Sequence, residues 1–239
     1  MAPRESQVIP VIGIPYLSNP DLLFECLESI SQDQYGFIHI IDNSPTKDPL
    51  VLPMGVRMKP RLLVTRGHRN LGVSASWNLL IKLHSDAPWW AITNSDLILG
   101  EGDLERLEEN IAGHGLVAFQ GMHLFGIRAS TIKTVGWFDE NFVPGYFEDN
   151  DYHYRCGLLG STIYQLDMAG THVMSSTLLR SNRYKAENAR TFPLNARYYV
   201  EKWGGPVGQE TYTTPFDQGG SPRDWTLDIT RLVNQAWKE

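Results

Sequence analysis

The sequence is poor in cysteine, has no long hydrophobic run and carries no excess of basic residues. Each deficit excludes a class of protein. Its two cysteines, Cys26 and Cys156, lie far apart and form no CxxC pair. That excludes a cysteine-only zinc site and a disulfide framework. Both read as small buried hydrophobes. No uninterrupted apolar stretch has the length of a membrane span, and none follows the polar residues 1–7 as a signal peptide would. A cytoplasmic protein without a transmembrane segment is therefore expected. Lysine and arginine number 21 against 27 aspartates and glutamates, a formal net charge of −6. A protein held on nucleic acid by phosphate neutralisation has the opposite balance. Nucleic acid is not expected as a partner, although binding of a modified base stays open. What is present is ordinary for a globular chain: 239 residues, 42% hydrophobic and 20% charged.

The first half alternates strand and helix signals. Residues 8–14 form an apolar run that ends at Pro15. Asn19-Pro20-Asp21 predicts a helix start, with Asn19 as cap and Pro20 in the first turn. Further strands are predicted over 37–41, 62–65 and 89–93, with a helix over 73–84 between the last two. Asp103 is read as the cap of a helix stopped by Gly113. Alternation of this kind predicts an α/β fold with a mostly parallel central sheet flanked by helices. Such sheets bind ligands beyond the carboxyl ends of their strands. The residues found there are Pro15 and Tyr16, Asp42 and Asn43, Arg66, and Asn94-Ser95-Asp96.

The second half is less regular. Strands are predicted over 116–120, 123–128, 162–166 and 172–174. Helices are predicted over 129–135 and 149–159, from Pro193 to the glycines at 204–205, and over 225–237. The organisation expected is a ligand-binding half over 1–115, a second half of the same domain over 116–205, and an extension with an amphipathic helix over 206–239.

Four constellations are suited to chemistry. Asn94-Ser95-Asp96 follows a buried strand, where a carboxylate can hold a hard divalent cation, although the same residues also make turns. Glu148, Asp149 and Asp151 follow Tyr146-Phe147, and three acids exceed what a helix cap requires. Asp149 and Asp151 are two apart, so on a helix they point different ways and cannot share one task. Asn70-Leu71-Gly72 leads into a helix, where glycine permits close approach and the helix N-terminus favours phosphate. His172 becomes a metal ligand only where other ligands converge on it.

In this order the motifs resemble the inverting glycosyltransferases of family 2, with the GT-A (nucleotide-diphospho-sugar transferase) fold. The resemblance runs from residue 8 to about 172. It rests on Ile14-Pro15-Tyr16, Cys26-Leu27-Glu28-Ser29-Ile30, Ile40-Ile41-Asp42-Asn43-Ser44, Asn70-Leu71-Gly72 with Asn78, and Asn94-Ser95-Asp96. It closes with Gly136-Trp137-Phe138-Asp139-Glu140, Glu148-Asp149-Asn150-Asp151 with Arg155, and His172. The resemblance implies a UDP-, dTDP- or GDP-sugar donor, a Mn²⁺ or Mg²⁺ ion, and a glycan or other hydroxyl acceptor. It implies that Pro15, Tyr16, Asp42, Asn43, Arg66, Asn70, Gly72, Asn94 and Ser95 face the donor. Asp96 and His172 would hold the metal, Asp149 would be the general base, and Trp137, Glu148 and Asp151 would face the acceptor. Lys202-Trp203-Gly204-Gly205 also looks like a segment of some family members. The chain departs from the pattern at Asn94, where many members carry aspartate. Asn-Ser-Asp looks more like the Asn-Pro-Asp variant of rhamnosyltransferase-like members.

Two other classes compete. A sugar-phosphate nucleotidyltransferase also uses strand-end acids and a cation, but it needs an early glycine-rich basic loop, and residues 14–19 are Ile-Pro-Tyr-Leu-Ser-Asn. A non-catalytic glycan- or nucleotide-binding module could keep the fold and lose turnover, a reading to which Asn94 lends weight. An oligomer stays open.

Overall fold

Apolar runs bounded by turn residues become the strands of one sheet, and the segments between them cover its faces. The computed structural model describes residues 8–222 apart from positions 46, 48, 58, 60, 68, 120, 174 and 175. The helix expected over 225–237 lies outside the described residues. In chain order the elements are β1 (Ile9–Tyr16), α1 (Pro20–Glu28), β2 (Tyr35–Asp42), α2 (Met54–Arg57), β3 (Leu62–Arg66), α3 (Val73–Leu83), β4 (Trp89–Thr93), β5 (Leu97–Ile98) and α4 (Asp103–Ile111). They continue with β6 (Leu116–Phe119), β7 (Leu124–Arg128), α5 (Ala129–Val135), α6 (Glu148–Leu158), β8 (Ile163–Leu166), β9 (Thr171–His172), α7 (Ser176–Arg180) and α8 (Asn182–Trp203).

Seven strands form the main sheet in the order β3-β2-β1-β4-β7-β6-β8. Only β7 is antiparallel to its neighbours, β4 and β6. The other pairings are parallel, so the sheet is mostly parallel, as the strand–helix alternation predicts. It runs without a break through both halves of the chain. One face packs Leu23, Cys26 and Leu27 of α1 with Leu104, Leu107 and Ile111 of α4. The other packs Trp77, Leu80 and Ile81 of α3 with Ile132 of α5 and Tyr152 and Cys156 of α6. Both cysteines are buried and free.

Burial decides these helices more than capping does. Burying a Leu or Ile side chain is worth roughly 1.5–3 kcal/mol, whereas an N-cap is worth about 1 kcal/mol. Asn19 holds the cap position of α1 in a left-handed conformation (φ 65°), and its side chain makes no capping bond. Its amide donates to Ser176 Oγ at 3.3 Å instead. Asp103 is not a cap either; it is the first helical residue, behind Gly102. Its buried carboxylate accepts the backbone N–H groups of Gly100, Ala169 and Gly170 and a bond from Arg106. This carboxylate ties α4 to the loop that leads into β9.

Helix α8 begins eleven residues before the expected Pro193, at Asn182, with Ser181 Oγ accepting from Tyr184 N. Proline removes one helical hydrogen bond and normally marks a start or a break. Here the turns beyond it bury Asn195, Tyr198, Tyr199, Lys202 and Trp203, which offsets that loss. Phe142, Tyr198, Tyr199 and Trp203 form a third apolar cluster.

Candidate active site

The carboxyl end of β4 delivers Asn94, Ser95 and Asp96. Directly afterwards β5 pairs antiparallel with β9, Leu97 opposite His172, and Val173 N donates to Asp96 O at 3.1 Å. This two-stranded sheet brings a histidine 76 positions away to the acid: His172 Nε2 lies 3.1 Å from Asp96 Oδ1. Ser176 Oγ donates to Asp96 Oδ2 at 2.6 Å. Burial alone raises the Asp96 carboxyl. The bonds from His172 and Ser176 outweigh it and hold the group below the usual carboxylate range. The His123 ring lies against that of His172, centroids 3.9 Å apart, and its Nδ1 is 3.3 Å from the Asn94 amide. Burial, then the nearby His172, pushes His123 below the usual histidine range.

The N-terminus of α6 delivers the second group of acids. Tyr146 and Phe147 both have φ of 75°, in the left-handed region. Consecutive non-glycine residues there are strained, and such strain persists where surrounding contacts impose it. Asn195 of α8 supplies one such contact: its amide donates to Gly145 O at 2.8 Å and Val143 O at 3.3 Å. The turn places Glu148 and Asp149 at the head of the helix. Burial raises the Asp149 carboxyl above its ordinary value, against a bond from Asn150 N and the nearby His153. Burial, then the charges of Asp149 and Asp151, pushes Glu148 up to about 8. Glu148 Oε2 is buried and has no hydrogen-bond partner among the described residues.

These two groups face one cavity of about 410 Å³. Of the residues singled out in the sequence, Pro15, Tyr16, Asn43, Asn70, Gly72, Asn94, Ser95, Asp96, Glu148, Asp149 and His172 line it. Asn43 shapes the wall as well as lining it: its Oδ1 accepts Leu71 N at 2.9 Å and its amide donates to Ser76 Oγ at 2.9 Å. Asn70 Oδ1 accepts Gly72 N at 2.9 Å. Gly72, at φ 82°, is the cap of α3, and a Cβ there would lie 2.9 Å from Pro144 O. Only glycine fits that approach.

Four of the singled-out residues do not line the cavity. Asp42 is buried, accepts Ser44 N at 2.8 Å and pairs with Arg66 at 3.8 Å. Arg66 also donates to Pro45 O. Trp137 is 39% exposed and lies under the Lys82 ammonium, 5.0 Å from the ring centre. Asp151, expected at the acceptor, is fully buried and bound by Arg155, Lys202 and Trp203. The helical twist accounts for this: two residues beyond Asp149, the side chain points into the core.

The cavity also has walls that sequence reasoning missed. His123 arrives with β7, and Ser176 stands at the start of α7. Tyr184, Glu187 and Asn188 come from the part of α8 ahead of Pro193. Trp77 lines the cavity too, with its Nε1 unpartnered among the described residues. No sequence signal marks His123, because pairing through β7 is what carries it there. Among the described residues four acids line the cavity (Asp96, Glu148, Asp149 and Glu187) and no lysine or arginine does.

Among the described residues no group of three or more His, Cys, Asp or Glu is arranged to hold a metal ion. Asp96 and His172 are nonetheless neighbouring oxygen and imidazole donors. Mg²⁺ usually takes one or two carboxylates and completes its shell with substrate phosphates and water. The donor set fits a cation shared with a phosphorylated ligand and does not fit an all-protein metal cage.

The Glu148 carboxyl predicts a sign for stability against pH. Its folded value is about 8, above the ordinary 4.5, so the folded state keeps a proton that the unfolded chain releases between those values. Stability from this group is full below about 4.5 and is lost as pH rises to about 8. Glu148→Gln removes the titration. The variant is expected to gain stability over wild type at pH 8.5 and to gain less at pH 5. Urea midpoints at the two pH values check this; a gain that is equal at both would contradict it.

No protein-family model matches the chain. A galactofuranosyl glycosyltransferase of Leishmania donovani is 31% identical over 134 residues, covering 46% of this chain. The chain spans 30% of that protein's length. Among solved structures, S. aureus TarS 1–349 superposes with a TM-score of 0.53 at 15% identity, covering 66% of this chain and 58% of that one. A second TarS structure from S. aureus has a TM-score of 0.53 at 14% identity, covering 81% of this chain and 40% of that one. At that identity the likeness shows the fold: a mixed α/β GT-A arrangement with a mostly parallel central sheet flanked by helices. Among the described residues no helix is long and apolar enough to cross a membrane.

Proposed function

We propose that the protein is an inverting glycosyltransferase that moves a sugar from a nucleotide-diphosphate donor to an acceptor hydroxyl. The observation that carries this reading is that Asp96, after β4, and Asp149, at the head of α6, line one cavity although they are 53 positions apart in the chain. The partial likeness to a galactofuranosyl glycosyltransferase supports it at the level of the reaction class.

The donor lies along the first half of the chain. Pro15, Tyr16 and Asn43 wall the nucleoside side, and the Asn70–Gly72 turn approaches the diphosphate at the start of α3, where a helix N-terminus favours anions. Asp96 and His172 would hold a divalent cation, which would neutralise charge on the departing diphosphate. The charged acids of the lining, with no lysine or arginine beside them among the described residues, would otherwise repel such a donor. Asp149 takes the proton of the acceptor hydroxyl as it attacks the anomeric carbon from the face opposite the leaving group. Its raised carboxyl brings its basicity closer to neutral pH, which suits a general base. Attack from the opposite face inverts the anomeric configuration.

The experiment is a product assay with UDP-, dTDP- and GDP-sugars. A galactofuranosyl donor comes first, ahead of other hexose and deoxysugar donors. Release of nucleoside diphosphate is expected, with Mn²⁺ or Mg²⁺ required and excess EDTA reducing turnover to background. Release of pyrophosphate would identify a nucleotidyltransferase. Full turnover in EDTA would remove the cation from the scheme. Donor binding without turnover on any acceptor would leave a binding module.

A further inference from the structure

The transferase reading leaves the acceptor unspecified, and the α8 side of the cavity carries features that the donor does not use. We propose that the acceptor is an uncharged carbohydrate chain of two or more units, its terminal sugar bound by Glu148 Oε2 beside Asp149 and its next unit stacked on the aromatic ledge of Tyr146 and Phe192. This inference rests on the transferase reading and deepens it.

Three observations converge on it. Glu148 is 7% exposed, yet its Oε2 has no partner among the described residues. Asn188 Oδ1, on the part of the cavity lined by α8, is also buried and unpartnered among the described residues. Buried polar atoms left unsatisfied cost free energy that a ligand recovers by bonding to them. Sugar hydroxyls can donate to Asn188 Oδ1 and accept from a protonated carboxyl. Glu148 carries that proton at neutral pH, because burial and the charges of Asp149 and Asp151 push it up to about 8.

Next to these polar atoms stands the ledge. Tyr146 is 41% and Phe192 42% exposed. Their ring centroids are 5.4 Å apart at an interplanar angle of 72°. Tyr146 lines the cavity two residues before Glu148, and Phe192 lies one helical turn beyond Asn188. A pyranose or furanose ring has an apolar C–H face and a hydroxyl edge, which matches an aromatic surface bordered by hydrogen-bonding groups. A lipid chain would require an apolar wall in place of Glu148, Glu187 and Asn188. The charge of the cavity supplies the third argument. Besides the protonated Glu148, the acids Asp96, Asp149 and Glu187 line it, and among the described residues no lysine or arginine does, which disfavours phosphate- or uronate-bearing acceptors.

The test uses the full chain with the donor that gives the fastest nucleoside diphosphate release. The acceptor panel holds neutral mono-, di- and trisaccharides, their uronate and phosphate counterparts, a long-chain alcohol and a nucleoside. Neutral disaccharides are expected to exceed monosaccharides by about tenfold in kcat/KM, the scale of one aromatic contact. Anionic counterparts should fall well below both. Phe192→Ala should erase the disaccharide advantage through KM more than kcat, and Phe192→Tyr should restore it. Equal use of mono- and disaccharides, a preferred anionic, lipid or nucleoside acceptor, or an unaltered preference in Phe192→Ala would each overturn the inference. Donor hydrolysis with no transfer to any saccharide overturns the inference and spares the donor half of the transferase reading. Absence of nucleoside diphosphate release from every donor overturns both.

Discussion

Asp149→Asn is expected to lower transfer by roughly 10²–10⁴, the usual worth of a positioned general base, while donor affinity stays within a few-fold of wild type. The substitution is chosen because it keeps shape. The carboxamide oxygen can still accept Asn150 N, which Asp149 Oδ1 accepts at 2.8 Å, so the head of α6 keeps its local bond. What is lost is the capacity to take a proton. The proposed donor-side wall comes from the ends of β1, β2 and β4 and the turn before α3, and among the described residues it makes no hydrogen bond to this group. A split between kcat and donor affinity therefore separates a base from a residue that merely shapes the cavity. In wild type, kcat should fall as pH drops through the Asp149 value, which burial raises above the ordinary carboxylate range. Turnover of the variant near wild type would exclude Asp149 as the base.

Lys202→Met is expected to destabilise the fold by about 3–5 kcal/mol, the cost of breaking a buried ion pair by removing one partner. Lys202, Asp139, Asp151 and Arg155 are all essentially inaccessible to solvent. Lys202 Nζ binds Asp139 Oδ2 at 2.7 Å and also pairs with Asp151 Oδ1. Asp151 further accepts Arg155 Nε at 2.9 Å and Trp203 Nε1 at 2.9 Å. Asp139 accepts Tyr198 OH and the backbone and side chain of Asn141. Two carboxylates thus face one ammonium and one guanidinium, and removing the ammonium leaves a buried negative charge unbalanced. Burial alone raises Asp139, and the charge and bonds of Lys202 outweigh that and hold it below the usual range. The network also joins α6, which carries Glu148 and Asp149, to α8, which carries Tyr184, Glu187 and Asn188. Loss of stability should therefore be accompanied by loss of turnover at temperatures where the variant is still folded. Urea unfolding measures the first effect. A change below about 1 kcal/mol, the worth of an exposed pair, would show that these charges are not buried together.

The strand–helix alternation was legible because buried parallel strands are apolar on both faces and their helices carry one apolar stripe. The sheet elements and their strand-end residues follow from such local patterns. Residues placed by pairing between distant segments were not legible in local patterns, and His172 was singled out beside Asp96 only through the family resemblance. β5 is two residues long, too short for any periodicity, yet its pairing with β9 sets His172 against Asp96. His123 reaches the same place through β7. The first half of α8 was hidden by Pro193, which reads as a helix start and sits inside one. With it were hidden Tyr184, Glu187 and Asn188. Asp151 was misjudged for a different reason. Its neighbours Glu148 and Asp149 do line the cavity, and only the partners buried around it, Arg155, Lys202 and Trp203, show that it serves the core. Those partners also explain Lys202-Trp203-Gly204-Gly205: the segment closes the buried network and ends α8.

The central claim is that one cavity holds a cation at Asp96 and a sugar facing Asp149. A crystal structure of the full chain with Mn²⁺ and a non-hydrolysable nucleotide-sugar tests it most directly, because manganese is located by its anomalous scattering. The account predicts an anomalous peak beside Asp96 and His172, with the diphosphate on it and the anomeric carbon turned towards Asp149. A nucleotide-sugar bound outside this cavity, or bound within it with its anomeric carbon turned away from Asp149, would contradict the account.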